Sequence, residues 1–157
     1  MPERFEVDGR IAAKVDGEGY QANFVWRHLQ DGDAIDVQSP LGLTLGRMEL
    51  QGSTARFFDR HGALRADGDM ERLTARELGW PLPAAGLRYW LLGLADPDSP
   101  SSWSENSEGR LLSQYGWQVE FTGAQNEAPS RLILRREGLE VRIALHDWRI
   151  DTPSIKP

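Results

Sequence analysis

The sequence predicts an α+β domain: one long antiparallel sheet, interrupted by two short helices that lie across its apolar face. Three observations carry this. Short alternating segments recur between turn signals along most of the 157 residues. Residues 69–94 abandon that alternation for helical spacing. Within them, the stretch from Pro83 to Gly93 is apolar almost all the way round, so it cannot lie with one side in water.

The elements follow in order. Phe5, Val7 and Ile11 alternate with Glu6, Asp8 and Arg10. Tyr20, Ala22, Phe24 and Trp26 alternate with Gln21, Asn23 and Arg27, and Ile35 and Val37 with Asp36 and Gln38. A further strand runs over Leu43–Leu50. Trp117, Val119 and Phe121 alternate with Gln118 and Glu120; Leu132 and Leu134 face away from Arg131 and Arg135; Val141, Ile143 and Leu145 alternate with Arg142 and His146. Each strand has one apolar and one wet face, as an antiparallel meander requires. Turn signals separate them at Asp16-Gly17, Asp31-Gly32-Asp33, Gly52-Ser53, His61-Gly62, Asp67-Gly68, Glu108-Gly109, Gly123 and Glu137-Gly138. Asp8-Gly9 and Gly46 fall inside strands, where glycine signals a bend or bulge that curls a sheet.

Asp69 is a candidate N-cap for a first helix, Met70 to Leu78, closed by Gly79. Trp80-Pro-Leu-Pro83 is a rigid link. Pro83 opens the second helix and Gly93 caps it, with Leu87, Trp90, Leu91 and Leu94 on one face. Asp96 to Ser102 reads as an exposed loop. The whole chain, residues 1–157, is expected to form one domain.

Composition narrows function. Net charge is −6 with a pI near 5.1 and no basic cluster, which argues against nucleic acid. No apolar run is long enough for a helix to span a bilayer. Met1–Arg4 lead straight into the first alternating segment, a start without a signal peptide. Cysteine is absent, which excludes a thiolate metal site and a cysteine nucleophile. The three histidines, His28, His61 and His146, lack metal-ligand spacing and read as solvated. Asp96 and Asp98 read as turn carboxylates rather than an acid–base pair. There is no Gly-x-Ser-x-Gly elbow, and Gly42 to Gly46 carries no Lys for a phosphate cradle. Neither a catalytic group nor a cofactor site is expected.

Two features point elsewhere. Six Trp residues serve either plain core packing or a large apolar cavity lined by rigid aromatics. In Ser39-Pro-Leu-Gly-Leu-Thr44 a tight turn at Pro40 and Gly42 places Leu41 at a hairpin tip, where polar residues are usual. That Leu either folds back on the sheet or touches a membrane or partner.

Taken together, Phe24-Val-Trp26, Ser39 to Thr44, Leu78-Gly79, Pro81 to Pro83, Leu87-Arg-Tyr-Trp-Leu-Leu-Gly93, Gly116-Trp-Gln-Val119 and Val141 to Leu145 with Trp148 resemble the LolB family, in order over about residues 5–150. The resemblance implies an unclosed β-barrel, or half-barrel, with helices as a lid over an apolar cavity. It implies receipt of lipoproteins from the periplasmic carrier LolA through their acyl chains, and their placement in the inner leaflet of the outer membrane. It implies a chain anchored at the periplasmic face through a lipidated N-terminal Cys; this sequence has no Cys and is read as a soluble form starting near the first strand. The expected cavity lining is Phe24, Trp26, Ile35, Val37, Trp90, Leu91, Leu94, Trp117, Val119, Phe121, Leu134, Ile143 and Trp148. The expected membrane-insertion loop is Pro40, Leu41 and Gly42, with Leu41 as the inserting residue. No cofactor or metal is implied, and a monomer is expected. The competing reading is a module for a free fatty acid or other small lipophile; an enzyme would need clustered titratable groups inside the cavity.

Overall fold

Alternation becomes strand almost throughout. The structure, a computed structural model, describes residues 2–52, 54–107, 109–123 and 129–151. Ser53 and Glu108, at two expected turns, lie outside them. Six strands precede the helices: β1 (Arg4–Val15), β2 (Glu18–Leu29), β3 (Gly32–Gln38), β4 (Thr44–Gln51), β5 (Thr54–Asp59) and β6 (Leu64–Asp69). Helices α1 (Met70–Leu78) and α2 (Ala84–Trp90) follow. Among the described residues five strands follow the helices: β7 (Ser101–Asn106), β8 (Gly109–Gln114), β9 (Trp117–Thr122), β10 (Arg131–Arg136) and β11 (Leu139–Asp151). The hairpins β5–β6 and β7–β8 were not expected. Their turn signals are present, but both carry too few buried side chains to alternate visibly.

All eleven strands form one antiparallel sheet in the order β6-β5-β4-β3-β2-β1-β11-β10-β9-β8-β7. Consecutive strands are neighbours in space except β6 and β7, which lie at opposite edges, and β1 pairs β11 in the middle to join the two runs. The sheet ends at β6 and β7 without closing, and the helical connection runs from one edge to the other. It is therefore an unclosed barrel whose own crossover fills its inner face.

Curl comes from bulges. The β1–β11 register slips between Asp8 and Gly9, where the partner strand carries His146 as its extra residue. A Cβ on Gly9 would stand 2.4 Å from the Phe24 ring and 2.7 Å from the Ala144 carbonyl oxygen, so only glycine fits. The second bulge, between Val37 and Gln38, gives β4 an extra residue, Leu45. Beside it, a Cβ on Gly46 would lie 2.8 Å from the Phe57 ring. Both glycines expected to bend the sheet thus sit at bulges.

Helix α1 starts and stops as the sequence indicates. The Asp69 carboxylate accepts from the Arg72 N–H at 3.2 Å, and Gly79 closes the helix at φ +89°. Helix α2 is shorter than expected. It ends at Trp90 and turns through Gly93 at φ +76°. Leu94, assigned to its apolar face, therefore leaves that face and is exposed. Leu87, Trp90 and Leu91 remain fully buried, and burial of a Leu contributes about 1.5–3 kcal/mol.

Gly9→Ala is expected to lower stability by about 1–3 kcal/mol through overpacking against Phe24. Urea unfolding checks this; an unchanged midpoint would mean the bulge does not require glycine.

Candidate functional site

Between α2 and strands β1–β4 lies a cavity of about 240 Å³. That is just below the roughly 300–1,000 Å³ of typical small-molecule pockets. Its walls come from inward positions of the strands, Ile11, Ala13, Ala22, Phe24, Trp26, Ile35, Val37 and Met48. Trp80, Leu82, Leu87 and Leu91 roof it, and Ile143 reaches in from β11. No charged side chain stands among the described lining residues, and Gln21 alone offers an amide. Tyr20, Gln21 and Leu45 are exposed lining residues and mark the mouth. The mouth adjoins the β3–β4 loop, because Asn23 pairs with Gln38 and so leaves Tyr20 and Gln21 beyond the end of β3.

The β3–β4 loop is locked by its own bonds. Ser39 N–H donates to the Leu43 carbonyl at 2.8 Å, Gly42 N–H to the Ser39 carbonyl at 2.9 Å, and Leu43 N–H to the Ser39 hydroxyl at 3.2 Å. Gly42 takes φ +88°, the turn conformation its type suggests. Leu41 does not fold back: it is 90% exposed, with Leu43 at 68%.

Of the side chains expected to line a cavity, Phe24, Trp26, Ile35, Val37, Leu91 and Ile143 do so. Trp90, Trp117, Val119, Phe121 and Leu134 are buried but lie outside its wall, and Trp148 is only half-buried, packed on Phe5 at 5.6 Å between ring centroids. Leu94 is exposed. The reason is α2 itself, which divides the inner face. Leu87 and Leu91 face β1–β4, whereas Trp90 points the other way and donates its indole N–H to the Gln114 amide oxygen at 2.9 Å.

Gln114, on β8, is 3% exposed and fully satisfied. Its oxygen also accepts from Asp96 N–H at 3.0 Å, and its NH₂ donates to the carbonyls of Asp96 (2.8 Å) and Ser99 (3.1 Å). Asp96, read as a solvated turn residue, is instead buried under this network and accepts from the Tyr115 hydroxyl. Burial and that bond push Tyr115 up to about 12.

A second polar cluster holds α2 to the opposite half. The Asp33 side chain, on β3, is wholly buried. It accepts from Trp26 Nε1 at 2.8 Å and faces His28 Nδ1 at 2.7 Å. Arg88 of α2 approaches with Nε 3.7 Å from the same carboxylate, a charge contact longer than a hydrogen bond. His28, expected to be solvated, is stacked on Phe5 with ring centroids 5.1 Å apart. His61 and His146 are exposed as expected.

Some of the lining residues that the sequence reading missed had signals. Trp80 and Leu82 come from a link too apolar to be solvated, and Met48 continues the alternation of its strand. Leu45 had none, because the bulge breaks the parity that would assign its face.

An open antiparallel sheet covered by the helices that join its edges is a fold shared with solved structures. A crystal structure of a LolA superfamily protein from Nitrosomonas europaea matches with a TM-score of 0.60, over 97% of this chain and 88% of that one, at 9% identity. A DUF1329 family protein from Desulfovibrio piger matches with a TM-score of 0.58 over 98% of this chain and 88% of that one, at 8% identity. Sequence is more specific. The family described as Outer membrane lipoprotein LolB matches residues 3–148. Outer-membrane lipoprotein LolB of Chromobacterium violaceum is 35% identical over 148 residues, 92% of this chain and 80% of that protein. Its namesake from Pseudomonas aeruginosa PAO1 is 30% identical over 152 residues, 92% of this chain and 74% of that protein. The chain belongs to the LolB family, whose role is lipoprotein localisation. No helix among the described residues is long and apolar enough to cross a membrane.

Asp33→Ala is expected to cost about 3–5 kcal/mol, because it strands Arg88 and the Trp26 indole N–H in a buried site. Guanidinium unfolding checks this; a loss below about 1 kcal/mol would mean that solvent replaces the carboxylate.

Proposed function

We propose that the protein accepts lipoproteins from a LolA-type periplasmic carrier by taking their acyl chains into the cavity under α2, and delivers them to the inner leaflet of the outer membrane. One observation carries this reading. A cavity with no charged side chain among its described lining residues opens beside an uncharged loop whose tip Leu is 90% exposed. Acyl chains need no polar partner, only shielding worth about 0.8 kcal/mol per methylene. Weak, non-directional contacts of this kind suit a protein that must release what it holds. Membership of the LolB family supports the same role.

The volume sets a condition. About 240 Å³ does not enclose two or three full acyl chains, so loading requires α2 to lift from β1–β4. The handover breaks and forms no bond, and among the described residues that line the cavity there is no cluster of titratable groups. Anchorage at the outer membrane in the native setting, and action as a monomer, belong to the same proposal.

A long-chain fatty acid probe is expected to bind at micromolar concentration or tighter, and to shift emission from Trp26 and Trp80, which line the cavity. Saturating probe with neither binding nor a spectral change would overturn the acyl reading. Leu41→Glu is expected to preserve folding and probe binding while reducing lipoprotein delivery to outer-membrane vesicles at least about tenfold, since a charge at a lipid-inserted tip costs several kcal/mol. Unchanged delivery would leave the tip Leu without a membrane role. Retention of a free fatty acid through purification, seen by native mass spectrometry, would favour a small-lipophile carrier instead.

A further inference from the structure

We infer that Leu41, Leu43 and Leu45 form one apolar ramp along which an acyl chain passes between a lipid surface and the cavity, with Leu45 as its inner step. The inference rests on the acyl reading of the cavity and adds a path to it.

Three observations place the ramp. Exposure falls along the run, from 90% at Leu41 to 68% at Leu43 and 51% at Leu45. Leu45 belongs to both surroundings, being half-exposed and also part of the cavity wall. Its position there is a product of the bulge. Val37 pairs with Gly46 and Gln38 with Thr44, so Leu45 has no partner and escapes the strand's strict alternation. Without the extra residue, Leu45 would share the outer face with Arg47 and Glu49, which are not buried. Gly46 leaves the adjoining space to the Phe57 ring, which keeps the bulge packed.

The run also suits contact with lipid. Ser39 to Leu45 contains no charged residue in a chain that is 27% charged. Its turn satisfies backbone groups internally through the Ser39–Leu43, Gly42–Ser39 and Leu43–Ser39 hydrogen bonds, so entry into an apolar layer need not strip water from them. A chain leaving the cavity would otherwise bare successive methylenes to water, and each bared methylene raises the barrier to passage. Side chains spaced two residues apart give it a continuous apolar contact instead.

The test separates the path from the site. Probe affinity is measured at equilibrium in buffer, and stopped-flow fluorescence follows transfer of the same labelled fatty acid between phosphatidylethanolamine–phosphatidylglycerol vesicles and the protein, in both directions. Leu43→Ser is the variant, since Leu43 lies outside the strands and the cavity wall. Leu29→Ser is the control, a half-exposed Leu at the far end of β2. The expectation for Leu43→Ser is an affinity in buffer within about twofold of the parent, with transfer slowed about tenfold in both directions, and parental rates for Leu29→Ser. Parental transfer rates for Leu43→Ser, or equal slowing in the control, would overturn the ramp while leaving the acyl site standing. Slowing in one direction only would also overturn it, because a path must serve both. Failure of the parent protein to bind the probe in buffer would overturn the acyl reading itself, and the ramp with it.

Discussion

A sheet of eleven strands that does not close has an apolar inner face to cover and two edges to protect. The segment joining β6 to β7 answers the first need, because it starts at one edge and must reach the other. Its route over the concave side is set by Trp80, Leu82, Leu87, Trp90 and Leu91, all buried there. The edges are defended by composition. β6 carries Arg65, Asp67 and Asp69, and β7 is polar apart from Trp103, which Arg110 covers at 5.1 Å. Had the edges paired, the barrel would enclose a fixed core. Left open, it has a cover that is covalently tied at both ends yet hydrogen-bonded to the sheet at few points.

Those points decide what α2 can do. On one side Arg88 meets Asp33; on the other, Trp90 meets Gln114. The two fastenings differ in kind. Gln114 is saturated by directional hydrogen bonds, each worth about 0.5–1.5 kcal/mol net, in a buried site. Arg88 makes a longer charge contact and keeps part of its side chain in water. The Asp33 side is therefore the weaker hinge line, and it borders the cavity through Trp26. Movement that frees Leu87 and Leu91 while Trp90 stays in place would enlarge the cavity without exposing the second half of the core.

Much of this was legible in the sequence, and the failures have physical causes. Period-two alternation located the strands with apolar inner faces, and Asp69 and Gly79 marked α1 because capping is local chemistry. For Leu41 the turn left two outcomes open, folded back or exposed, and the structure shows it exposed. Apolar character alone could not say which side of α2 a residue faces, so Trp90 and Trp117 were assigned to the cavity although both belong to the opposite half. Asp96 was misread because its burial depends on Gln114 and Tyr115, distant in sequence and unremarkable by themselves. The hairpins β5–β6 and β7–β8 escaped because their edge strands, β6 and β7, bury no side chain and so show no apolar alternation.

The pairing of β1 with β11 carries one more consequence. Each half of the sheet is a run of local hairpins that can form as soon as its residues are available. Their union spans almost the full chain, since Arg4 must meet Asp151 and Val15 must meet Leu139. Closing so long a loop is entropically costly and slow, so the seam is the late event of folding. Until β11 arrives, β1 exposes Phe5, Val7 and Ala13, all destined for burial, along an unpaired edge. The chain thus spends its synthesis as two unfinished halves and completes its sheet only in the final step, which gives any holdase that shields greasy edges a defined interval in which to act.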